Sequence, residues 1–281
     1  MVGVLPQMNH LEMGTFWFHL YQRVIPLLDE RYNPNGPVVG CGMLLRLTTG
    51  TYFITAAHVI DSVGGDFDHV GVPYGPYENG CTTLGSGTIR NSIPTPTADL
   101  DVAIFPLSAD VRNRLTWECL TARDLIALRP AQAMNEFILF GYPNSTVPAF
   151  EDGGVLTVSA LPVFLRTGRF VGDTKAWKPK HPDVDLFLAY GDTATDREGR
   201  EVPAPALKGI SGSPIWVMAP PPSSGVWSPA SSLRVVAIDA GWTAPGSKNR
   251  YVVGKLWTAV QLAFARLDKR AGAEIKDALL L

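Results

Sequence analysis

Residues 38–58 read VVGCGMLLRLTTGTYFITAAH, and they indicate the class of fold more clearly than any other part of the chain. Its two halves, 38–47 and 51–56, are rich in branched and aromatic side chains, which favour β-strands. The residues between them, Thr-Thr-Gly at 48–50, are typical of a tight turn. The stretch therefore predicts a β-hairpin, and His58 follows directly after the second strand.

Short runs of the same character recur along the chain. They lie at 82–89, 102–107, 137–140, 155–165, 184–190, 214–218 and 233–240, and turn residues separate nearly all of them. The chain has 27 glycines and 23 prolines, enough for many turns, and 46% apolar residues, enough for a sizeable core. Many short strands in a chain of this length predict an all-β sandwich or barrels.

The two ends of the chain differ from this middle part. Residues 1–35 form a mixed apolar lead-in, in which a short helix within 12–30 is expected to break before Pro26. Near the other end, apolar residues recur at helical spacing between Leu256 and Ala271. We expect a C-terminal amphipathic helix that packs on the β-structure.

Composition and charge exclude several classes of function. The net charge is −2 and the basic residues are scattered, so no nucleic-acid partner is expected. The sequence has no run of about 18 apolar residues, so no membrane partner is expected. Residues 1–22 carry no Lys or Arg, unlike a secretory signal, and a cytoplasmic location is therefore expected.

Cysteine and histidine spacing argues against a metal centre. The three cysteines, Cys41, Cys81 and Cys119, are odd in number and lack CxxC spacing, which favours reduced thiols over a disulfide framework. The five histidines show no HExxH or other paired spacing. We therefore expect neither a metal nor a cofactor.

The segment GISGSP at 209–214 offers a candidate nucleophile. Gly209 and Gly212 flank Ser211, so the backbone can turn sharply and present its N–H groups. The N–H groups of Gly209 and Ser211 are candidates for an oxyanion hole, the donors that bind the negative oxygen of an acyl-transfer intermediate. On its own, however, a cluster of Gly, Ser and Pro is more often only a turn.

A serine nucleophile needs a base and an orienting acid, and two other segments offer them. The small residues before His58 leave room for its ring. Asp101 leads into the apolar run 102–107, where a partly buried carboxylate needs a donor such as an imidazole N–H. Asp99 is a rival, because the period of a strand puts both acids on one face. Taken singly, His58 is more often a core or surface histidine, and such an acid is often only a solvated strand end.

Together these segments resemble the signature blocks of the trypsin/chymotrypsin-like serine peptidases. The blocks are TAAH at 55–58, DVAI at 101–104 and GISGSP at 209–214, in the His, Asp, Ser order of that family. The similarity covers roughly residues 38–254, and GYP at 141–143 also resembles a turn in bacterial and organelle members. An α/β-hydrolase is excluded, because no histidine follows Ser211.

The resemblance implies an all-β fold of two packed six-stranded β-barrels with a C-terminal α-helix. The expected parts are an N-terminal extension (1–35), a first barrel (36–128), a second barrel (129–254) and the helix (255–281). The resemblance also implies that His58 is the general base and then the general acid, that Asp101 orients it, and that Ser211 forms an acyl-enzyme. The substrate would be a protein or peptide.

The chain departs from the family pattern beside the nucleophile. Ile210 stands where secreted members carry an acid that binds a newly cut N-terminal ammonium. Activation by that route is therefore not expected, which places the chain nearer to the disulfide-poor bacterial and viral-like branches. Ser213 stands where glycine is usual, so the turn conformation is in question.

The same resemblance gives a first view of substrate binding. It implies that Pro205, Ala206, Asp239 and Gly241 line the primary specificity pocket. Because Pro205 and Ala206 offer no acid, a preference for Lys or Arg is disfavoured, and a small or medium apolar side chain is expected. Asp239 stays open, since its carboxylate would point either into the cleft or out to solvent.

Two further hypotheses accompany that of an active serine endopeptidase. The chain could instead be a catalytically silent protease-fold scaffold that binds a peptide or partner, which the departures at Ile210 and Ser213 would allow. Alternatively, the enzyme is active only when residues 1–35 or the C-terminal helix dock on an activating protein partner.

Overall fold

The computed structural model describes most of the chain, in segments separated by gaps. The described residues are 10–29, 31, 38–65, 69–78, 80–84, 100–128, 136–146, 149–152, 155–158, 162–175, 177, 181, 183–195, 200–219, 228–243 and 249–280. Strands outnumber helices among them, and most of the strands belong to two large sheets.

The first large sheet comes from the N-terminal part of the chain. Its strands are β1 (Ile25–Asp29), β2 (Val38–Leu47), β3 (Gly50–Thr55), β4 (Val70–Pro73), β5 (Cys81–Thr83), β6 (Ala103–Pro106) and β7 (Leu120–Thr121). The order is β5-β4-β1-β2-β3-β6, with every neighbouring pair antiparallel. The two-residue β7 lies outside this six-stranded path and pairs with β2 in parallel.

The second large sheet comes from the C-terminal part. The strands of this part are β8 (Phe137–Gly141), β9 (Ala149–Asp152), β10 (Val155–Val158), β11 (Val163–Thr167), β12 (Asp185–Ala189), β13 (Thr193–Thr195), β14 (Glu201–Pro203), β15 (Pro214–Met218), β16 (Leu233–Trp242) and β17 (Tyr251–Leu256). An antiparallel path of six strands, β12-β17-β16-β15-β8-β11, is extended by β13 and β14. Strands β9 and β10 form a separate hairpin.

The expected all-β fold with two six-stranded antiparallel units is therefore confirmed, and it matches the two-barrel chymotrypsin-like architecture. The hairpin predicted at 38–56 is also confirmed, because β2 and β3 pair from Met43 opposite Ile54 to Leu47 opposite Gly50. The run 155–165, expected as one strand, is two strands, because β10 pairs with β9 whereas β11 pairs with β8.

The N-terminal lead-in contributes more than an extension to the fold. It holds a helix, α1 (His10–Tyr21), and then β1, which lies between β4 and β2 in the first sheet. The first unit therefore begins before residue 36. Pro26 does not exclude a strand here, because β4 pairs with Leu28 and Asp29 and leaves Pro26 with a partner strand on one side only.

The C-terminal segment is two helices rather than the single helix expected. They are α5 (Trp257–Leu267) and α6 (Lys269–Leu280). Asp268 separates them: its N–H donates to the carbonyl of Phe264 at 2.7 Å, at the end of α5. Its Oδ1 accepts the N–H groups of Arg270 at 2.8 Å and Ala271 at 3.2 Å, which caps the start of α6.

Shorter helical segments complete the described structure. They are α2 (Ala57–Asp61), α3 (Ala109–Arg114) and α4 (Pro229–Ser232), with single 3-10 turns at Ala122–Asp124 and Asn144–Thr146. Among the described residues, no helix has the length and apolar character that crossing a bilayer requires.

The buried apolar side chains of the described residues form three clusters, of which one joins the two sheets. One lies inside the first unit, between its strands, α2 and α3, and one lies inside the second unit. The third joins the units and takes in side chains of α1, β2, β8, β15, β16 and α5. On β2, Leu44 belongs to the first cluster and Leu45 to the third, as the alternation of a strand requires. The shared cluster fixes how the two units meet.

Candidate active site

His58 lies in α2, directly after β3. The last residues before α2, Thr55 and Ala56, are fully buried, and Ala56 caps the helix without any side-chain hydrogen bond. Val59 and Ile60 anchor α2 in the first core cluster. The side chain of His58 keeps 44% of its surface exposed.

Asp101 supplies the missing cap and also holds the imidazole. Its Oδ1 accepts the backbone N–H of His58 at 2.9 Å, and its main-chain carbonyl accepts that of Ala57 at 3.3 Å. Its Oδ2 accepts the Nδ1–H of His58 at 2.8 Å. The φ angle of Asp101 is 50°, a left-handed conformation that aspartate tolerates better than most residues. These bonds place the ring proton on Nδ1, which leaves Nε2 able to accept a proton.

The protonation of His58 reflects two opposing effects. Partial burial of the imidazole lowers its pKa, because a charged ring loses solvation. The hydrogen bond and negative charge of Asp101 act in the other direction, with smaller help from the charges of Asp239 and Asp61. The acids outweigh burial, so the pKa of His58 lies above its usual value of 6.5.

Ser211 lies in a sharp turn that precedes β15. Gly209 has a φ of 102° and Gly212 a φ of 89°, which only glycine adopts without strain. The carbonyl of Ser211 accepts the N–H of Cys41 at 2.7 Å, so the turn is tied to β2. Ser211 itself is 8% exposed and lies just below the surface.

Gly212 marks a close approach between this turn and the strand that leads to His58. A Cβ at Gly212 would lie 2.1 Å from the carbonyl oxygen of Cys41, 2.3 Å from Oγ1 of Thr55 and 3.0 Å from the nitrogen of Ala56. The turn of Ser211 is therefore packed against the residues that directly precede His58. The fold brings the segments of His58, Asp101 and Ser211 to one place, where the two sheets meet.

Two backbone donors in the Ser211 turn are not committed to other bonds. Within the described part of the chain, the N–H groups of Gly209 and Ser211 donate no hydrogen bond. The neighbouring N–H of Ile210 is used, since it donates to the carbonyl of Leu207 at 3.1 Å. The hydroxyl of Ser211 also makes no hydrogen bond to any described residue.

Asp239 of β16 lies behind the Ser211 turn and is fully buried. Its carbonyl accepts the N–H of Gly212 at 2.7 Å, and its N–H donates to the carbonyl of Ser213 at 2.8 Å. Its Oδ1 accepts the N–H of Gly241 at 2.9 Å. Of the two directions left open by the sequence, the one toward solvent is excluded.

The charge state of Asp239 follows from its burial. Loss of solvation raises the pKa of its carboxyl to about 8. The hydrogen bond from Gly241 and the charge of His58 lower this pKa, whereas the charge of Asp101 raises it. In the sequence, Asp239 is recognisable only as an acid in the middle of an apolar strand, and nothing there indicates which residues surround it.

The other residues predicted to bind substrate lie on β16 and in the segment that precedes the Ser211 turn. Gly241 follows an irregularity in the pairing of β16 with β17, and a Cβ there would lie 3.0 Å from the ring of Trp177. Pro205 and Ala206 belong to the segment that leads into the Ser211 turn. The carbonyl of Pro205 accepts a hydrogen bond from the hydroxyl of Tyr190. Trp177 had no signal in the sequence.

The two departures from the family pattern have a structural setting. Ile210 is 1% exposed and packs in the core of the second unit. Its apolar side chain is held there by packing and cannot pair with the ammonium group of a new N-terminus. Ser213 faces Gly141 of β8, where a Cβ would lie 2.5 Å from the serine hydroxyl. The glycine of the GYP segment therefore leaves the room that Ser213 occupies.

The cysteines and histidines show no disulfide and no metal centre among the described residues. No disulfide joins the three cysteines, and burial raises the pKa of the Cys41 thiol to about 12. Within the described residues, no group of His, Cys, Asp and Glu could hold a metal ion. Asp99, the rival of Asp101, lies outside the described residues.

Replacing Gly212 by alanine is expected to destabilise the protein by about 3 kcal/mol or more, because a Cβ would overlap backbone and force a strained φ. The matched control is Gly14→Ala in α1, where nothing lies within 4 Å. That change is expected to leave stability equal or slightly higher. Chemical denaturation followed by fluorescence measures both, and equal stabilities for the two variants would contradict the packing described here.

Comparison with known proteins identifies no family for this chain. No protein-family model matches the chain, and no curated protein matches it. Among solved structures, the chain is similar to the one titled "Aromatic interactions drive the coupled folding and binding of the intrinsically disordered Sesbania mosaic virus VPg protein". The identity is 13% over 85% of this chain and 87% of that chain, with a TM-score of 0.42. We draw no function from this likeness.

Proposed function

We propose that the chain is a serine endopeptidase of the trypsin/chymotrypsin-like kind, with His58, Asp101 and Ser211 as its catalytic triad. One observation carries the proposal. Asp101 binds both the ring and the backbone of His58, and the turn of Ser211 packs against the strand that leads to that histidine. A carboxylate that orients an imidazole beside a serine is the arrangement that nucleophilic acyl transfer needs.

The proposed reaction has two halves. In the first, Oγ of Ser211 attacks the peptide carbonyl while its proton passes to Nε2 of His58, and the N–H groups of Gly209 and Ser211 bind the oxyanion. The C–N bond then breaks, and His58 gives its proton to the leaving amine. In the second half, His58 takes a proton from water, which attacks the acyl ester, and returns a proton to Ser211. Asp101 stays ionised and stabilises the imidazolium in both halves.

The surroundings of the triad support a site that forms without cleavage of the chain. Ile210 offers no carboxylate for a new N-terminus, and its side chain is already packed in the core. The absence of disulfides between Cys41, Cys81 and Cys119 fits a reducing compartment such as the cytoplasm. We infer that the substrate is a protein or peptide, and that any activating partner acts by binding rather than by proteolysis.

The experiment that tests this function is a cleavage map. An unfolded protein substrate is incubated with the purified chain, and the products are identified by mass spectrometry. New termini that share a side-chain preference before the cut bond are expected. A substrate that stays intact over a wide range of enzyme concentration, with the chain still folded, would overturn the proposal.

A second candidate function has one observation in its favour. The hydroxyl of Ser211 makes no hydrogen bond to the described residues, His58 included. A protease-fold scaffold that binds a peptide without cleaving it would also have a serine hydroxyl that is not bonded to the histidine. Catalytic bonds are often long in the absence of substrate, so we place this second. Peptides that bind the wild-type chain and are recovered intact would favour the scaffold.

The pH profile of hydrolysis is expected to rise from acid to neutral pH. The general base must be neutral, and the pKa of His58 is raised above 6.5 by Asp101 against the effect of burial. The rate is therefore lost as the pH falls through a value above 6.5. Measuring kcat/KM between pH 5 and 9 on one peptide tests this, and a rate independent of pH in this range would contradict His58 as base.

A further inference from the structure

Bonded and unbonded backbone N–H groups alternate along the turn 208–212. The N–H groups of Ile210 and Gly212 each donate to a main-chain carbonyl. Those of Gly209 and Ser211 have no acceptor among the described residues. These two are the donors that the proposed reaction uses for the oxyanion, so the contacts that set their direction bear on catalysis.

The direction of each unbonded N–H follows from the carbonyl of the same peptide group. A trans peptide is planar, so its C=O and N–H point in opposite directions. The carbonyl of Lys208, which shares a peptide group with the N–H of Gly209, accepts the N–H of Asn144 at 2.7 Å. The peptide that carries the N–H of Ser211 is held in the same way, because its carbonyl accepts the N–H of Ser213 at 2.9 Å. Each unbonded N–H therefore points away from the residue that binds its carbonyl.

Gly209 is the residue at which this arrangement is most easily lost. Its φ of 102° lies in a region that glycine enters freely, but glycine enters other regions as freely. No side chain can restrict it, since a Cβ would lie 2.8 Å from both the nitrogen of Asn144 and the carbonyl oxygen of Tyr142. The conformation of Gly209 therefore depends on contacts to the peptide groups before and after it.

Cys41 of β2 makes the contact to the peptide group after Gly209. Its thiol donates to the carbonyl of Gly209 at 3.2 Å, and its backbone N–H donates to the carbonyl of Ser211 at 2.7 Å. The side chain is fully buried, and burial raises the pKa of the thiol to about 12, so the S–H proton is present at neutral pH. Asn144 thus holds the peptide before Gly209 and Cys41 holds the one after it.

We propose that Cys41 is a positioning residue of the oxyanion hole: its thiol holds the carbonyl of Gly209, which keeps the N–H of Gly209 directed toward the oxyanion. The inference rests on the proposed function, since only acyl transfer gives this N–H a developing charge to bind. Cys41 acts through Gly209 and touches neither the substrate nor the reacting atoms. A strand of the first sheet in this way supports a donor that belongs to the second unit.

The kinetic test is Cys41→Ala, which is expected to lower kcat about tenfold. Outright loss of one oxyanion donor costs about 10²- to 10³-fold in kcat, and a donor that is misdirected part of the time should cost less. KM should stay nearly unchanged, because the full charge on the oxygen develops only toward the transition state. Cys41→Ser keeps a donor of similar size and should restore most of the rate.

The matched control for the lost volume is Val38→Ala. Val38 lies on the same strand as Cys41, is also buried and belongs to the same apolar cluster. Its truncation should lower stability but keep the wild-type kcat. Equal losses of kcat in Cys41→Ala and Val38→Ala would mean that packing, and not the thiol bond, supports the rate, and would overturn the inference.

A second readout does not depend on activity. Lys208-Gly209 is the only Lys-Gly pair in the sequence, so a sample with ¹³C at the lysine carbonyls and ¹⁵N in the glycines selects the Gly209 amide by NMR. One resonance is expected in the wild type. In Cys41→Ala it should shift and broaden as Gly209 leaves its single conformation, and in Cys41→Ser it should return toward the wild-type position. Val38→Ala should leave it in place.

An infrared measurement keeps the inference falsifiable if the Cys41 variants fold poorly. Combining Cys81→Ala with Cys119→Ala leaves Cys41 as the only thiol in the chain. Its S–H stretch should lie below that of a thiol dissolved in an apolar solvent, because donation to the Gly209 carbonyl weakens the S–H bond. A band at the frequency found in apolar solvent would contradict the hydrogen bond and the proposed role.

The outcomes separate this inference from the proposed function. A Gly209 resonance and a kcat that are both unchanged in Cys41→Ala would overturn the role of Cys41 even if the wild type cleaves peptides. A resonance that moves as expected in a chain without peptidase activity would support the hold on Gly209 and overturn the proposed function alone.

Discussion

Ser211→Ala is expected to abolish peptide hydrolysis, with kcat falling by roughly a million-fold, because no other group can form the acyl-enzyme. The fold should stay intact. The turn is set by Gly209 and Gly212 and by the backbone bond from Cys41 to the Ser211 carbonyl, none of which needs the hydroxyl. Initial rates on a fluorogenic peptide, with circular dichroism on the same samples, give both results.

The control for this variant lies two residues away. Ser213→Ala removes a hydroxyl of the same kind from the same turn, where it faces Gly141 rather than a substrate. It should keep most of the wild-type rate. Equal losses in the two variants would mean that the turn as a whole, and not the Ser211 hydroxyl, accounts for the effect.

Asp101→Asn is expected to lower kcat/KM by about 10⁴-fold while the peptide still binds. An amide keeps one acceptor for the backbone N–H of His58, but its NH₂ group cannot accept from Nδ1–H. The ring is then stabilised in the tautomer with its proton on Nε2, so it can no longer accept the serine proton. Steady-state kinetics should show the loss mainly in kcat.

A chemical control separates the tautomer effect from a loss of fold. Asp61→Asn changes an exposed acid on the same short helix and should alter kcat/KM only slightly. A similar loss in Asp61→Asn would mean that general negative charge, rather than the bond between Asp101 and His58, supports catalysis.

The fold was predictable where local pattern and tertiary structure agree. The hairpin at 38–56 has strong strand residues around a glycine turn, and β2 and β3 form there. The lead-in was harder, because a proline suggests a break, and Pro26 fits a strand here only because β4 leaves one of its sides without a partner strand. The C-terminal segment has one continuous apolar pattern, so the cap by Asp268 that divides it in two was not visible.

For the candidate site, the sequence predicted the three segments that carry His58, Asp101 and Ser211, but not the contacts between them. The sequence pointed to His58 and Asp101, which meet in the structure, and to Ser211, whose turn packs nearby. It could not show that Asp101 also caps α2, because that bond joins residues far apart in the chain. It also could not show where Asp239 points, since an irregularity in strand pairing next to it sets the direction.

Whether Ser211 is assembled into a reactive site can be measured by intact-mass spectrometry after incubation with a fluorophosphonate probe. A serine made nucleophilic by His58 should bind one probe molecule per chain, and both Ser211→Ala and His58→Ala should bind none. A single adduct confined to the wild type is the predicted result. A well-folded wild-type chain that gains no mass, or an adduct that persists in Ser211→Ala, would contradict a reactive site at Ser211.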